Sequence, residues 1–418
     1  MTTKTTAINS NQKNRALPEL LAPTGSMETL QTAVLYGADA VYLGGEAFGL
    51  RAGARNFSRE QMKDAVAYAH IHGVKVYVTV NIIAHNEHLK ALPEYLEFLQ
   101  EAGVDALIMS DAGMIHMTRQ LAPDLAVHLS TQASAMNYET LKFWRDQGVE
   151  RAVLARELSL PELQAIHEEL GDSLELETFV HGAMCMSISG RCLLSGYLTG
   201  REANLGECAQ PCRWNYALVE QSRPGEYFPV TEDENGTYIF NSKDLCLVEY
   251  LPELIAAGVK SLKIEGRMKT PLYVGVVTKI YREALDDLAK DPALYESKKT
   301  YYKNALSMIS HRDYTTGFFL GRPGAEAQVY DTAAYIKKIE FAAKVVDAET
   351  GLIEQRGRFF RGETLLAIPT EGEIFPFTVE ELKDKEGQDR DSAPHAKEEL
   401  FMRLPEGAHN GMLIARCV

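Results

Sequence analysis

One unit repeats through roughly the first 260 residues of this chain: a helical pattern ends at glycine, and a short apolar run follows almost at once. The clear instances are Gly37-Ala-Asp-Ala-Val-Tyr-Leu43, Gly73-Val-Lys-Val-Tyr-Val78, Gly103-Val-Asp-Ala-Leu-Ile108, Gly148-Val-Glu-Arg-Ala-Val-Leu154 and Gly258-Val-Lys-Ser-Leu-Lys-Ile264. Glycine suits the left-handed residue that closes a helix, and the β-branched residues after it favour extended chain. Looser versions follow Pro123 (Leu125 to Leu129) and Gly171 (Leu174 to Val180), and Leu20-Leu-Ala22 precedes them all, which makes eight strands. Ser26, Ser58 and Ser159 stand ahead of amphipathic stretches as helix N-caps. Strand and helix alternating eight times predict an α/β chain folded as a (β/α)8 TIM-type barrel rather than an open doubly wound sheet.

The spacing between units breaks once. About 80 residues separate strand seven from strand eight, so the reading places an insertion at 182–258, on the carboxyl face where barrel enzymes carry their chemistry. Inside it, Asn235-Gly236 between Tyr227-Phe-Pro-Val230 and Thr237-Tyr-Ile-Phe240 predicts a hairpin. Thr270-Pro271 opens a long helix to about Leu288, and a second covers Tyr295 to Ile309. From about 330 to 418 the texture changes to short alternating runs (Ala342 to Val346, Glu363 to Ala367, Glu373 to Phe377, Met412 to Ala415), a small β-barrel or sandwich domain with a mobile charged loop at Lys383 to Lys397. Residues 1–17 read as a disordered tail ahead of a barrel region at 18–329.

Because the helix-facing side of each barrel strand must be apolar, the register follows from alternation. Facing the axis are Lys75, Tyr77, Thr79 and Asn81 on strand three, and His128, Ser130 and Gln132 on strand five. Strand six contributes Arg156, strand seven Glu177, Phe179 and His181, and strand eight Lys263, Glu265 and Arg267. An ordinary barrel lumen is filled by branched apolar residues, so this set points to a pocket for a polar, anionic small molecule. Arg156 and Arg267 suit bidentate carboxylate capture, while Lys263 and Glu265 help to satisfy Glu177 and Arg156. The alternative is a purely structural ion-pair network.

Four of the six cysteines form the cluster Cys185-x6-Cys192-x15-Cys208-x3-Cys212, inside the insertion. Four thiolates suit tetrahedral zinc or an iron–sulfur cluster, and the spacing alone leaves both open. Cys246 and Cys417 stand apart as ordinary buried cysteines. With 43 Lys and Arg against 58 Asp and Glu, the net charge of −15 disfavours non-specific nucleic-acid binding, so any such contact has to be local. Local basic and aromatic residues do occur: Arg51, Arg55 and Arg59 beside the glycine-rich loop Gly44 to Gly53, and Arg191, Tyr197, Arg201, Arg213, Trp214 and Tyr216 among the cysteines. No apolar run is long enough to span a bilayer and no secretory signal is visible, so the expected compartment is the cytoplasm, with no membrane partner.

The run Glu177-Thr-Phe-Val-His-Gly-Ala-Met-Cys185-Met-Ser-Ile-Ser-Gly190-Arg-Cys192-Leu-Leu-Ser195 resembles the signature of the peptidase U32 family. Cys208-Ala-Gln-Pro-Cys212-Arg-Trp214, Asn241-Ser-Lys-Asp-Leu245 and Lys263-Ile-Glu-Gly-Arg267 support the resemblance, which spans residues 18 to 330. Within the family the chain looks most like the branch for tRNA 5-hydroxyuridine synthesis. That resemblance implies oxygen-independent, prephenate-dependent hydroxylation of the wobble uridine. It also implies a [4Fe-4S] cluster on Cys185, Cys192, Cys208 and Cys212, the tRNA anticodon region as partner, and a homo- or hetero-oligomer with a second family member. Candidate catalytic residues are His181, Glu177 and Glu265, with Arg156, Arg267, Lys263, Gln132, Asn81 and His128 binding substrate. Related members modify ribosomal RNA or hydroxylate the ubiquinone ring. The family's name stands for a different alternative, a metal-dependent peptidase with a structural zinc, for which the sequence offers no zincin helix and no identifiable nucleophile with its base.

Overall fold

The computed structural model describes residues 17–49, 56–184, 243–321 and 336–418, together with four two-residue strand segments between 218 and 237. Eight parallel strands form the central sheet: β1 Glu19–Pro23, β2 Ala40–Gly44, β3 Lys75–Val80, β4 Ala106–Met109, β5 Ala126–Leu129, β6 Arg151–Val153, β7 Glu175–Ala183 and β8 Val259–Ile264. Each pairs with its successor, and β8 pairs with both β7 and β1, so the sheet closes into a barrel.

Outside the strands lie α1 Met27–Leu35, α2 Arg59–Ile71, α3 Asn86–Glu101, α4 Ala112–Leu121, α5 Tyr138–Asp146, α6 Leu160–Leu170, α7 Leu251–Ala256 and α8 Pro271–Lys290, followed by α9 Pro292–Leu306. The expected caps form. The Thr29 and Gln61 amides donate to the Ser26 and Ser58 hydroxyls, and Glu162 reaches back to accept from the Ser159 amide. Leu20, Val41, Val76, Val78, Leu107, Val127 and Leu262 face the helices in the main core, whereas Leu21, Ala40, Tyr42, Tyr77, Ala106 and Ile108 pack inside the lumen. The alternation read from the sequence is therefore realised on most strands.

Strand β7 runs on to Ala183 because a short strand, Asp244–Cys246, pairs antiparallel with its end and then pairs with Tyr314–Thr315. The chain that carries the cysteine run thus leaves and re-enters at the carboxyl end of β7. Within that run Tyr227–Phe228 pairs with Leu218–Val219, while Glu232–Asp233 pairs with Gly236–Thr237. The expected partnership between Tyr227–Val230 and Thr237–Phe240 is corrected accordingly.

The C-terminal part is a seven-stranded antiparallel sheet with its own apolar core around Val345, Ile353, Phe359, Leu365 and Leu400. The charged stretch expected to be a mobile loop is folded. Leu382–Lys383 joins the sheet edge through Glu399–Met402, and Ser392–Ala393 pairs with Phe359–Phe360. The two parts are fastened together. Tyr36 on the barrel side donates to the Ile368 carbonyl at 2.6 Å and accepts from the Leu413 amide, and Lys279 of α8 donates to the Gly372 carbonyl at 2.6 Å. Among the described residues no helix is long and apolar enough to cross a membrane.

Candidate functional site at the barrel mouth

Arg267 follows β8 and is buried at the mouth, where its guanidinium donates to Thr79 Oγ1 at 3.1 Å and to Asn56 Oδ1 at 2.8 Å. The approach depends on Gly44: a Cβ there would stand 2.3 Å from Arg267 Nη2. Arg156, just past β6, lies with its guanidinium carbon 3.9 Å from the Phe179 ring centroid and donates to the Ala183 carbonyl at 2.5 Å. It therefore grips the last residue of β7, two residues before Cys185. Glu265 accepts from the Tyr42 hydroxyl at 3.3 Å. Asn81 and Gln132 stand at the same end of the barrel. The Asn81 carbonyl accepts from Ser110, and Gln132 sits in the turn Thr131–Ala133 after β5, within 3.4 Å of the Ser130 hydroxyl.

Below the mouth runs a buried line of charge. Glu177 is fully enclosed and accepts from Lys263 Nζ at 2.8 Å, Ser261 Oγ at 3.0 Å and Arg151 Nη1 at 3.4 Å. Burial pushes its carboxyl up, but the Lys263 and Arg151 cations outweigh this and hold it at about 2. Lys263 also lies 4.4 Å from the Tyr42 ring centroid, so the line leads on to Glu265. Arg151 continues it downward to Glu19 and Glu175. The expectation that Arg156 and Glu177 belong to one network is corrected. Arg151, the first residue of β6 and absent from the sequence candidates, is the arginine that pairs with Glu177, and Arg156 projects above it at the mouth.

His181 does not face the lumen. The β7–β8 register shifts between Lys263 and Ile264, so His181 pairs with Ile264, a helix-facing position, instead of continuing the inward row after Phe179. Its ring lies among Tyr273 and Tyr281 of α8 and Tyr314, with Nε2 3.4 Å from the Tyr314 hydroxyl. Burial, with smaller contributions from His311 and Lys269, lowers its pKa to about 3 and keeps it neutral. His128 does face the lumen but at the opposite end. It meets Tyr77 edge-on at 4.7 Å and lines a cavity at the amino ends of the strands, and burial beside Arg151 lowers it to about 3. The bulge and the depth in the lumen are non-local, so no sequence signal marks either.

Cys185, Cys192, Cys208 and Cys212 lie outside the described residues. Among the described residues no three His, Cys, Asp or Glu side chains converge as a metal site. Cys246 is buried near the Tyr281 hydroxyl with its thiol pushed up to about 11, which makes it a packing residue, whereas Cys417, expected to be buried as well, is exposed at the end of the C-terminal sheet. Asp244, also absent from the candidates, is a buried acid opposite Ala183 whose Oδ2 accepts from the Arg312 amide at 3.1 Å. The run Asn241-Ser-Lys-Asp-Leu245 was its signal.

A family model described as peptidase family U32 matches residues 25–329, and one described as the peptidase family U32 C-terminal domain matches residues 337–416. The tRNA hydroxylation protein P1 of Bacillus subtilis (strain 168) is 39% identical over 96% of this chain and 94% of its own. The tRNA hydroxylation protein P of Escherichia coli (strain K12) is 36% identical over 93% of this chain and 94% of its own. The 23S rRNA 5-hydroxycytidine C2501 synthase of Escherichia coli (strain K12) is 37% identical over 76% of this chain but 47% of its own.

Proposed function

The chain belongs to peptidase family U32, and we propose that it is an RNA-modifying enzyme that hydroxylates the wobble uridine of tRNA to 5-hydroxyuridine. One observation carries this reading: similarity to relatives named tRNA hydroxylation proteins runs through both the barrel and the C-terminal domain, over 93% to 96% of the chain.

In this reading the mouth takes an anionic co-substrate, which the family resemblance suggests is prephenate. Arg156 and Arg267 grip its carboxylate, and Lys263 supplies positive charge from beneath. Gln132 and Asn81 offer neutral hydrogen bonds at the rim. Glu265, partly open and bonded to Tyr42, is the acid best placed to hold or move a proton. Glu177 is the buried counterion of Lys263 and Arg151. His181, neutral and turned toward α8, positions the end of β7. Among the charged groups of the lumen, then, only those at the carboxyl end meet the substrate.

The all-thiolate donor set Cys185, Cys192, Cys208 and Cys212 fits a [4Fe-4S] cluster, and zinc is the alternative. The segment that carries these cysteines leaves after Ala183, held by Arg156, and returns at Asp244, paired to β7. A cluster bound by these four residues would supply one-electron chemistry. The experiment is anaerobic purification with iron and sulfide assay, joined to mass spectrometry of tRNA nucleosides from a deletion strain lacking any redundant family member. Loss of 5-hydroxyuridine derivatives supports the reading and unaltered nucleosides overturn it. A colourless protein with one zinc would end the cluster assignment and leave the peptidase alternative standing.

A further inference from the structure

We propose that the amino-terminal end of the barrel, opposite the mouth, carries a second binding site, one for a small oxyanion such as a phosphate-bearing or carboxylate metabolite. A cavity of about 760 Å³ opens there, large enough for a small metabolite. Its position follows from its lining. Lys75, Arg151 and Glu175 are the first residues of β3, β6 and β7, and Asp105 and Gly148 belong to turns that lead into strands. These residues all stand at the amino ends of their strands, away from the mouth.

Two observations point to a ligand. The first is the supply of positive charge: Lys75, Arg119, Arg145 and Arg151 line the cavity from four different elements. Arg119 donates to the carbonyls of Leu125 and Pro123, and no carboxylate among the described residues pairs with it. Arg145 pairs with the exposed Asp146 and reaches Ser173 at 3.4 Å, a contact that solvent screens. The acids on the wall are mostly committed. Asp105 accepts from the Val76 amide at 2.7 Å and from His70 at 2.8 Å, and Glu175 binds Arg151 at 2.7 Å. Glu150 also lines the cavity and is exposed.

The second is His128, which is 6% exposed and lines the same cavity, while its Nδ1 is buried with no hydrogen-bond partner. A buried polar atom without a partner costs free energy unless something satisfies it. An oxyanion seated between Arg119 and Arg145 would leave a protonated oxygen or an ordered water to face this ring. Occupancy would also be felt at the mouth, because Arg151 contacts Glu177 and Glu177 holds Lys263.

The test is calorimetric titration of the full chain with inorganic pyrophosphate at low salt, which does not depend on the hydroxylase reading. Saturable one-site binding is expected, weakened about tenfold or more in each of Arg119→Gln and Arg145→Gln, since each removes one charge-assisted contact. Both positions are part-exposed, so folding survives either change. Arg267→Gln at the mouth should leave the affinity unchanged. No saturable binding up to about 10 mM, a concentration above any useful metabolite affinity, overturns the proposal. So do unaffected Arg119 and Arg145 variants, or loss of binding in Arg267→Gln, which would put the anion in the mouth.

Discussion

Replacing Glu177 by glutamine tests whether the buried charge line holds the barrel together. Glutamine keeps the shape and the contact to Ser261 but removes the counterion of Lys263, whose side chain is 5% exposed and whose only carboxylate partner among the described residues is Glu177. Breaking a buried pair on one side costs about 3–5 kcal/mol. Holding the carboxyl at about 2 instead of its ordinary 4.5 corresponds to about 3 kcal/mol, in agreement. Because the folded value lies below the unfolded one, this stabilisation is complete above about pH 5 and is lost as the pH falls toward 2. Glu177→Gln should therefore melt roughly 3–8 °C below the parent at pH 7. In urea titrations the gap between the two proteins should shrink to about 1 kcal/mol near pH 3. A gap under about 1 kcal/mol at pH 7, or one that does not narrow on acidification, would refute the reasoning.

Gly44→Ala places a Cβ 2.3 Å from the Arg267 guanidinium, so the affinity for an anionic co-substrate should fall as it does in Arg267→Ala, by about tenfold or more in KM; unchanged KM in both variants would remove Arg267 from the site. His181→Phe should leave the pH profile of tRNA hydroxylation without any change near pH 6–7, because burial keeps the imidazole neutral with a pKa of about 3. A profile that loses a limb in that range would return His181 to proton transfer. Since the chain carries −15 overall, the tRNA binding that the proposed function requires has to come from a local basic surface. Its affinity should fall steeply with salt, and a salt-insensitive dissociation constant by filter binding would contradict this.

The sequence by itself determined the barrel. Six glycine-then-apolar units, the serine caps and the apolar alternation of β3 and β8 are local signals, because helix closure, capping and burial of one strand face act over a few residues. It also placed the cysteine run between strands seven and eight, and Arg156, Glu265 and Arg267 at the carboxyl ends of strands six and eight. Only the tertiary structure decided which charges meet. The stagger of a closed barrel sets Arg151, not Arg156, against Glu177, and one bulge between Lys263 and Ile264 turns His181 from the lumen to α8. Alternation along a strand is blind to both, since strand stagger and bulges depend on partners far away in the chain. For the same reason the amino-terminal cavity was invisible: its cations come from β3, α4, α5 and β6, and only closing the barrel brings them to one wall.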